Sequence, residues 1–151
     1  MLYAWDLSVE GLRVSTAALR PPTALDTFTV SYGVHPLPSA TGSQVCADLI
    51  AVMKGETDPS EVLRSKGKDP EDKQEHFTYT FFEGEPGILE IQAPRGRGLA
   101  YRMSRLIATQ GWDIVATRFG QWAGRAAAAF YVFGPGHSRL VMGEVDAALG
   151  A

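Results

Sequence analysis

The chain has 151 residues, a formal net charge of −3 and an apolar share of 45%, which are ordinary values for a globular protein. A sequence pI of about 5.6 and the lack of a basic stripe argue against a nucleic-acid partner. No stretch reaches 18 uninterrupted apolar residues, so no membrane partner or membrane-spanning helix is predicted. The single cysteine, Cys46, cannot form an internal disulfide, and we expect it to be a buried residue in a reducing, cytoplasmic setting.

Hydrophobic patterning in the first third of the chain predicts a helix, a β-hairpin and a second helix. Residues 2–10 are typical of a short helix, and Gly11 follows as a left-handed stop. The two hairpin strands alternate apolar and polar residues, and the prolines between them favour a turn. The second helix is expected to be capped by Thr41 or Ser43 and to end at Gly55. The predicted bounds of these elements are residues 2–10, 12–19, 25–32 and 41–54.

A polar connector and a second set of elements follow. Residues 56–75 mix both signs of charge and predict a solvated connector with one short helix. Beyond it, alternating residues predict four strands and helical periodicity predicts two helices. The strands are residues 76–82, 88–93, 112–119 and 125–133. The helices are residues 99–110 and a last segment capped by Ser138 and ending at residue 149.

An internal repeat with a period of roughly 100 residues indicates a duplicated domain. Both copies have the order helix, glycine, strand, turn, strand, loop, helix. Residues 11–14 correspond to residues 111–114, and residues 28–30 correspond to residues 130–132. The second copy has an additional strand before its helix, whereas the chain begins inside the helix of the first copy. We therefore expect a fragment of a longer protein, in which another segment or another chain covers the truncated first copy.

Four segments of the second copy, taken in this order, resemble the ACT domain: residues 87–94, 98–102, 111–114 and 129–132. More narrowly, nearly the whole chain is similar to the C-terminal tandem ACT region of the bifunctional uridylyltransferase/uridylyl-removing enzymes, which act on the nitrogen-regulatory protein PII. The resemblance implies an α+β fold of ferredoxin-like (βαββαβ) ACT domains in tandem, the first of them truncated at its N-terminus. The implied parts are a partial first domain, a connector and a second domain with its preceding strand, at residues 1–55, 56–75 and 76–151.

The resemblance also implies a regulatory role without catalysis. ACT domains bind small molecules, usually amino acids, near their shared interfaces, and this region of the uridylyltransferases is taken to sense glutamine. The nucleotidyltransferase and HD hydrolase motifs of those enzymes do not occur in this sequence, so we expect no catalytic residues. No cofactor is expected, and no side chains have the spacing of a metal site. The expected partners are an amino-acid effector such as glutamine and either a second copy of the chain or the missing catalytic domains.

The glycine-rich loop before the helix at residues 99–110 is the strongest ligand candidate. Backbone N–H groups at a helix N-terminus suit a carboxylate or a phosphate, and Arg95 and Arg97 would add charge-assisted hydrogen bonds. The alternative is a plain strand-to-helix turn in which glycines supply positive φ and both arginines are solvated. The strand start at residues 113–114 is expected near this loop, either as a backbone contact to the ligand or as an ordinary strand start. The candidate ligand-binding residues are Arg95, Gly96, Arg97, Gly98, Leu99, Asp113 and Ile114.

Two positions depart from the family pattern. Arg95 stands where the first ACT loop usually has an aspartate, and Ala128 stands where a strand aspartate is common. Because a carboxylate suits an α-amino group, both departures weaken the case for a standard amino acid as the ligand. Two hypotheses therefore stay open: a small-molecule sensor that signals through ACT–ACT pairing, and a dimerisation or protein-interaction module that has lost ligand binding.

Overall fold

A computed structural model describes residues 1–17, 23–71, 76–96 and 98–150. Within them, six antiparallel strands form one sheet in the order β2-β1-β5-β6-β4-β3. The strands are β1 (Ser8–Ala17), β2 (Thr23–Ser31), β3 (Thr78–Phe82), β4 (Gly87–Pro94), β5 (Asp113–Trp122) and β6 (Arg125–Phe133). The α-helices are α1 (Ser39–Met53), α2 (Pro59–Ser65), α3 (Leu99–Ala108) and α4 (Met142–Leu149), with a 3-10 turn at Pro135–His137.

The second copy forms a packed α+β unit that is compatible with a ferredoxin-like fold. Its order β4-α3-β5-β6-α4 is the predicted one, and β4 pairs with β6 while β6 pairs with β5. The fourth strand position, on the free side of β4, is filled by β3, which precedes β4 in the chain and pairs with it antiparallel. The hairpin β3–β4 thus fills this position locally.

The first copy joins the same sheet through its hairpin. Strand β1 pairs with β2 on one side and antiparallel with β5 on the other. Both hairpins have a first strand of ten residues and a second strand of nine, and each has a β-bulge with one extra residue, Glu10 in β1 and Val115 in β5. The two bulges are 105 residues apart in the chain. Arg13 and Arg118 are also 105 residues apart, and they face each other across the β1–β5 pair. An approximate two-fold axis therefore passes between these two arginines. It relates residues that are 105 positions apart in β1 and β5, so the predicted correspondence of residues 11–14 with residues 111–114 is wrong by five residues.

The core lies on the face of the sheet that the helices cover. Every second residue of β6 is buried, and α3 contributes three fully covered side chains to the same core. This alternation follows from the strand period of two and the helix period of 3.6, which put one face of each element against the other. The largest fully buried side chains in this core are Phe130, Leu89, Ile91, Leu99, Met103, Ile107 and Leu140.

The helix α1, by contrast, is thinly packed over the first hairpin. Only Val45 of α1 is buried, while Leu49 and Ile50 are exposed and Met53 is 78% exposed. The expectation that Cys46 would be buried is wrong, because the residue lies on an outward position of this helix. Residues near the N-terminus and α2 form a small second core around Ala4, Val62 and Leu63, so the predicted polar connector contributes buried apolar side chains.

The predicted helix at residues 2–10 is absent, and two predicted helix starts are wrong. Residues 2–6 form turns, in which the Trp5, Asp6 and Leu7 N–H groups donate to the Met1, Tyr3 and Leu2 carbonyls, and β1 starts at Ser8. A segment this short does not nucleate a helix. Helix α1 begins at Ser39 after Pro38, so Thr41 and Ser43 lie inside it and cannot cap it.

Helix α4 begins at Met142, and Ser138 is extended rather than a cap, because the Glu144 side chain accepts from the Val141 N–H at the actual start. The proline turn predicted at residues 20–22 lies outside the described residues.

Candidate functional site

The loop between β4 and α3 approaches the N-terminal segment closely. Gly98 is the residue before α3 and has a φ of 72°, a conformation that favours glycine. A Cβ atom at Gly98 would lie 2.6 Å from the ring of Tyr3, which itself stacks on Tyr101 at a centroid distance of 5.4 Å. Glycine is therefore required here both for backbone conformation and for space. Arg97 lies outside the described residues.

Arg95 contacts the first copy instead of standing free in solvent. Its Nη2 atom donates to both carboxylate oxygens of Glu10, each at 2.9 Å. The Ser31 hydroxyl donates to the same carboxylate at 2.8 Å. The hydrogen bond from Ser31 is the main cause that holds the pKa of Glu10 below its ordinary value, and the Arg95 guanidinium acts in the same direction. The β1 bulge places Glu10 at this contact, so the loop and the first hairpin are connected by charge.

A polar cavity of about 290 Å³ surrounds this ion pair. Four carboxylate or hydroxyl side chains of the first copy line it together with the loop of the second copy. The lining residues are Asp6, Ser8, Glu10, Ser31, Gly33, Arg95, Gly96 and Gln121. The cavity thus presents one guanidinium and two carboxylates, which is a mixed-charge environment suited to a ligand with both signs of charge.

A second, mainly apolar cavity of about 330 Å³ lies between the first hairpin, α1 and the start of α3. Its walls are Leu12, Val14 and Phe28 from the hairpin, apolar side chains of α1, and residues of the N-terminal segment and α3. Asp26 is the one charged residue among those that line it. This size lies at the small end of the range for small-molecule pockets.

The two cavities meet at Gly96 and Gln121, which line both of them. The Gln121 Nε2 atom donates to the Val9 carbonyl at 2.5 Å, which fixes the orientation of the amide. Its Oε1 atom is buried and has no hydrogen-bond partner among the described residues. Because an unsatisfied buried acceptor is costly, a donor group supplied at this junction would be stabilised there.

The structure does not bring Asp113 and Ile114 to this place. Pro94, at the loop end of β4, pairs with Arg125, whereas Asp113 pairs with Phe133. The eight residue steps of β6 from Arg125 to Phe133 span about 27 Å at the usual rise of a strand. The expectation that the start of β5 lies near the loop is therefore wrong. Asp113 lies 3.3 Å from the ring nitrogen of His137, and Ile114 pairs with Val132.

Sequence reasoning missed two residues that the first copy contributes to this site, Glu10 and Ser31, and one residue of the second copy, Gln121. Glu10, Ser31 and Gln121 are ordinary polar residues in strands, and nothing in their local pattern distinguishes them. Their meeting depends on the pairing of β1 with β5 and on the bulge at Glu10, which are long-range features. The only available signal was the repeat itself, because it indicated that two hairpins of one kind could pair.

Comparison of the chain with protein-family models, with curated proteins and with solved structures found no match. In the described part of the chain, no helix is both long and apolar enough to cross a membrane. Among the same residues, no group of three or more His, Cys, Asp or Glu side chains is arranged to hold a metal ion. The two cavities and the sequence resemblance are therefore the observations that bear on the function of the chain.

Proposed function

We propose that the chain is a non-catalytic regulatory module that binds a small molecule between two ACT-like units. The observation that carries the proposal is the junction of a polar and an apolar cavity at Gly96 and Gln121, between the two copies of the repeat. The resemblance adds that the ligand is an amino acid, with glutamine as the first candidate, and that the module serves nitrogen metabolism. In this proposal the two units are tandem ACT domains, the first of them truncated.

The side chains of the polar cavity suit a zwitterion. Arg95 can hold a carboxylate, while Glu10 supplies an acidic partner for an α-amino group. Asp6, the second carboxylate of the cavity, is already ion-paired with Lys68 at 2.5 Å. Arg95 departs from the acidic residue of the ACT pattern, but Glu10 of the first copy supplies a carboxylate at the same loop. The ligand has to compete with the Arg95–Glu10 ion pair, whose partners are partly exposed and whose mutual stabilisation is consequently small.

Binding at this junction would act on the contact between the copies. The polar cavity is bounded by the bulge of β1 on one side and by the β4–α3 loop on the other. A ligand that binds one arrangement of the two copies more tightly than another shifts the population towards that arrangement. The size of the shift equals the difference in binding free energy between the arrangements. A partner domain that contacts both copies could sense this change.

The experiment that tests the proposal is a thermal-shift screen of the purified chain against the common amino acids, glutamine first, with organic anions and nucleotides alongside. A ligand at about 100 times its Kd stabilises the folded state by about 2.7 kcal/mol, which raises the midpoint measurably. Glu10→Gln removes a charge from the polar cavity while keeping the side-chain shape, and we expect it to remove the shift. Glu85→Gln, in the exposed turn between β3 and β4, is the matched control and should keep it.

The alternative function, an interaction module without a ligand, is favoured by one specific observation. Arg95 already donates two hydrogen bonds to Glu10, so the cation of the loop has a partner within the chain. If no compound shifts the midpoint of a well-folded sample, this second function replaces the first. If a compound raises the midpoint of Glu10→Gln as much as that of the unchanged chain, the ligand binds elsewhere than at the junction.

A further inference from the structure

The face of the sheet opposite the helices is not covered by any element among the described residues. On this face, Phe82, Ile88 and Tyr131 follow one another across β3, β4 and β6. Phe82 is 51% exposed, and Ile88 and Tyr131 are only half-buried. These three side chains form an apolar row on a surface that the rest of the fold leaves open, and such rows mark interaction surfaces when they are contiguous.

A charged row lies beside the apolar one. Reading across the strand register, Arg13 pairs with Arg118, Arg118 with Ala129, and Ala129 with Glu90. Arg13, Arg118 and Glu90 are exposed, and none of them has an ion-pair or hydrogen-bond partner among the described residues. Two like charges directly opposite each other on neighbouring strands are destabilising. A carboxylate supplied from outside the chain would offset this repulsion between the arginines.

We propose that a second copy of the chain packs face to face on this open face, with a two-fold axis running along β6 between the two sheets. A rotation by 180° about this axis exchanges the two sides of β6, on which Arg118 and Glu90 lie at the same height. Arg118 of each copy then stands over Glu90 of the other, and Ala129 faces Ala129 of the second copy at the axis. Such a contact is isologous, because each residue pair occurs twice.

The small residues along β6 allow this approach. Ala127 and Ala129 are the open-face residues of β6 at the centre, and Gly120 of β5 lies beside Ala127. Packed sheets lie about 10 Å apart, and short side chains at the centre leave room for the longer Arg118 and Glu90 side chains to meet on either side. The proposal does not depend on the ligand junction, since neither Arg118 nor Glu90 lines either of the two cavities.

The size of the face matches what a dimer needs. With the axis along β6, β2 has no counterpart in the second copy, and five strands spaced about 4.8 Å apart and about 25 Å long overlap over about 600 Å² per copy. A specific interface needs to bury about 1,000 Å² in total, so this overlap is large enough for a reversible dimer. The charge pairs would then decide orientation and specificity.

The test is analytical ultracentrifugation of the full chain over a concentration series, with charge reversals of the row. We expect a reversible dimer that Arg118→Glu and Glu90→Arg each weaken by about tenfold or more in Kd, since each places like charges opposite one another. The double variant Arg118→Glu/Glu90→Arg exchanges the two charges and should restore most of the lost affinity. Arg64→Glu, on an exposed position of α2 at the helix side, is the matched control and should dimerise like the unchanged chain.

Circular dichroism of each variant establishes that the fold persists, which is expected because both charged residues are exposed. A chain that stays monomeric at all concentrations, including hundreds of micromolar, overturns the proposal and leaves the face free for a partner of other chemistry. A dimer whose Kd is unchanged by both single reversals also overturns the proposal. So does a double variant whose Kd stays as weak as that of the single variants.

Discussion

The two copies of the repeat have the same hairpin but different cores. In the second copy, α3 packs against β5 and α4 against β3, and Phe130 is 1% exposed. In the first copy, the corresponding Phe28 is 44% exposed, and an apolar cavity separates the hairpin β1–β2 from α1. The hairpin pattern alone therefore does not determine a filled core. The difference comes from the covering helices, since α3 and α4 provide three and two buried side chains in the second copy whereas α1, the helix of the first copy, provides one.

The largest expected effect comes from removing the same phenylalanine in each copy. Phe130→Ala should reduce the free energy of unfolding by about 3–5 kcal/mol, because it leaves a cavity in a filled core. Phe28→Ala should cost about 1 kcal/mol or less, because its ring is half in solvent and borders a space that is already empty. Urea denaturation of both variants measures the difference. Equal losses would show that the first copy is as well packed as the second.

A smaller effect is expected at two glycines of positive φ. Gly98→Ala and Gly124→Ala both place a side chain at a φ above 70°, which costs about 1–2 kcal/mol. Only Gly98→Ala also pushes against Tyr3, because nothing lies within 4 Å of a Cβ at Gly124. We expect Gly98→Ala to reduce the free energy of unfolding by about 1–3 kcal/mol more than Gly124→Ala does, as measured by thermal or urea denaturation. If the two variants melt alike, the packing of Tyr3 on the loop is not a constraint in solution.

The smallest effect is a pH dependence from Glu10. Its pKa is lowered in the folded chain from the ordinary value of 4.5, so its contribution to stability is present above that value. That contribution is lost as the pH falls through the lowered pKa of the folded state. The unfolding free energies of the unchanged chain and of Glu10→Gln should therefore differ at pH 7 and converge in acid. A difference that stays constant from pH 7 into acid would contradict the ion pair.

Much of the second copy could be predicted from its sequence. Strand β6 matches the predicted residues 125–133, and α3 starts at the predicted Leu99, because clear alternation and helical periodicity coincide there with glycine boundaries. Leu89 and Ile91 are buried as expected. These features depend on residues that are close together in the chain, so a single sequence is enough to recognise them.

The first copy and the site were harder to predict for a physical reason. The segment before β1 is too short to nucleate a helix, and the apolar stripe of α1 is only partly used, which left Cys46 exposed. The contact of Glu10 with Arg95 joins residues 85 positions apart and depends on the β1–β5 register. No local pattern encodes such a register, so the loop was predicted while its partners were not.

The measurement that tests the difference between the copies most directly is native-state hydrogen exchange at the two edge strands. Strands β2 and β3 each pair on one side only, so their amides have comparable hydrogen bonding. We expect the amides of β3, which lies over the filled core, to exchange at rates close to those of global unfolding. The amides of β2 should exchange faster, through an opening of the first copy that leaves the second intact. Protection of β2 equal to that of β3 would contradict the account, because the two copies would then unfold as one unit.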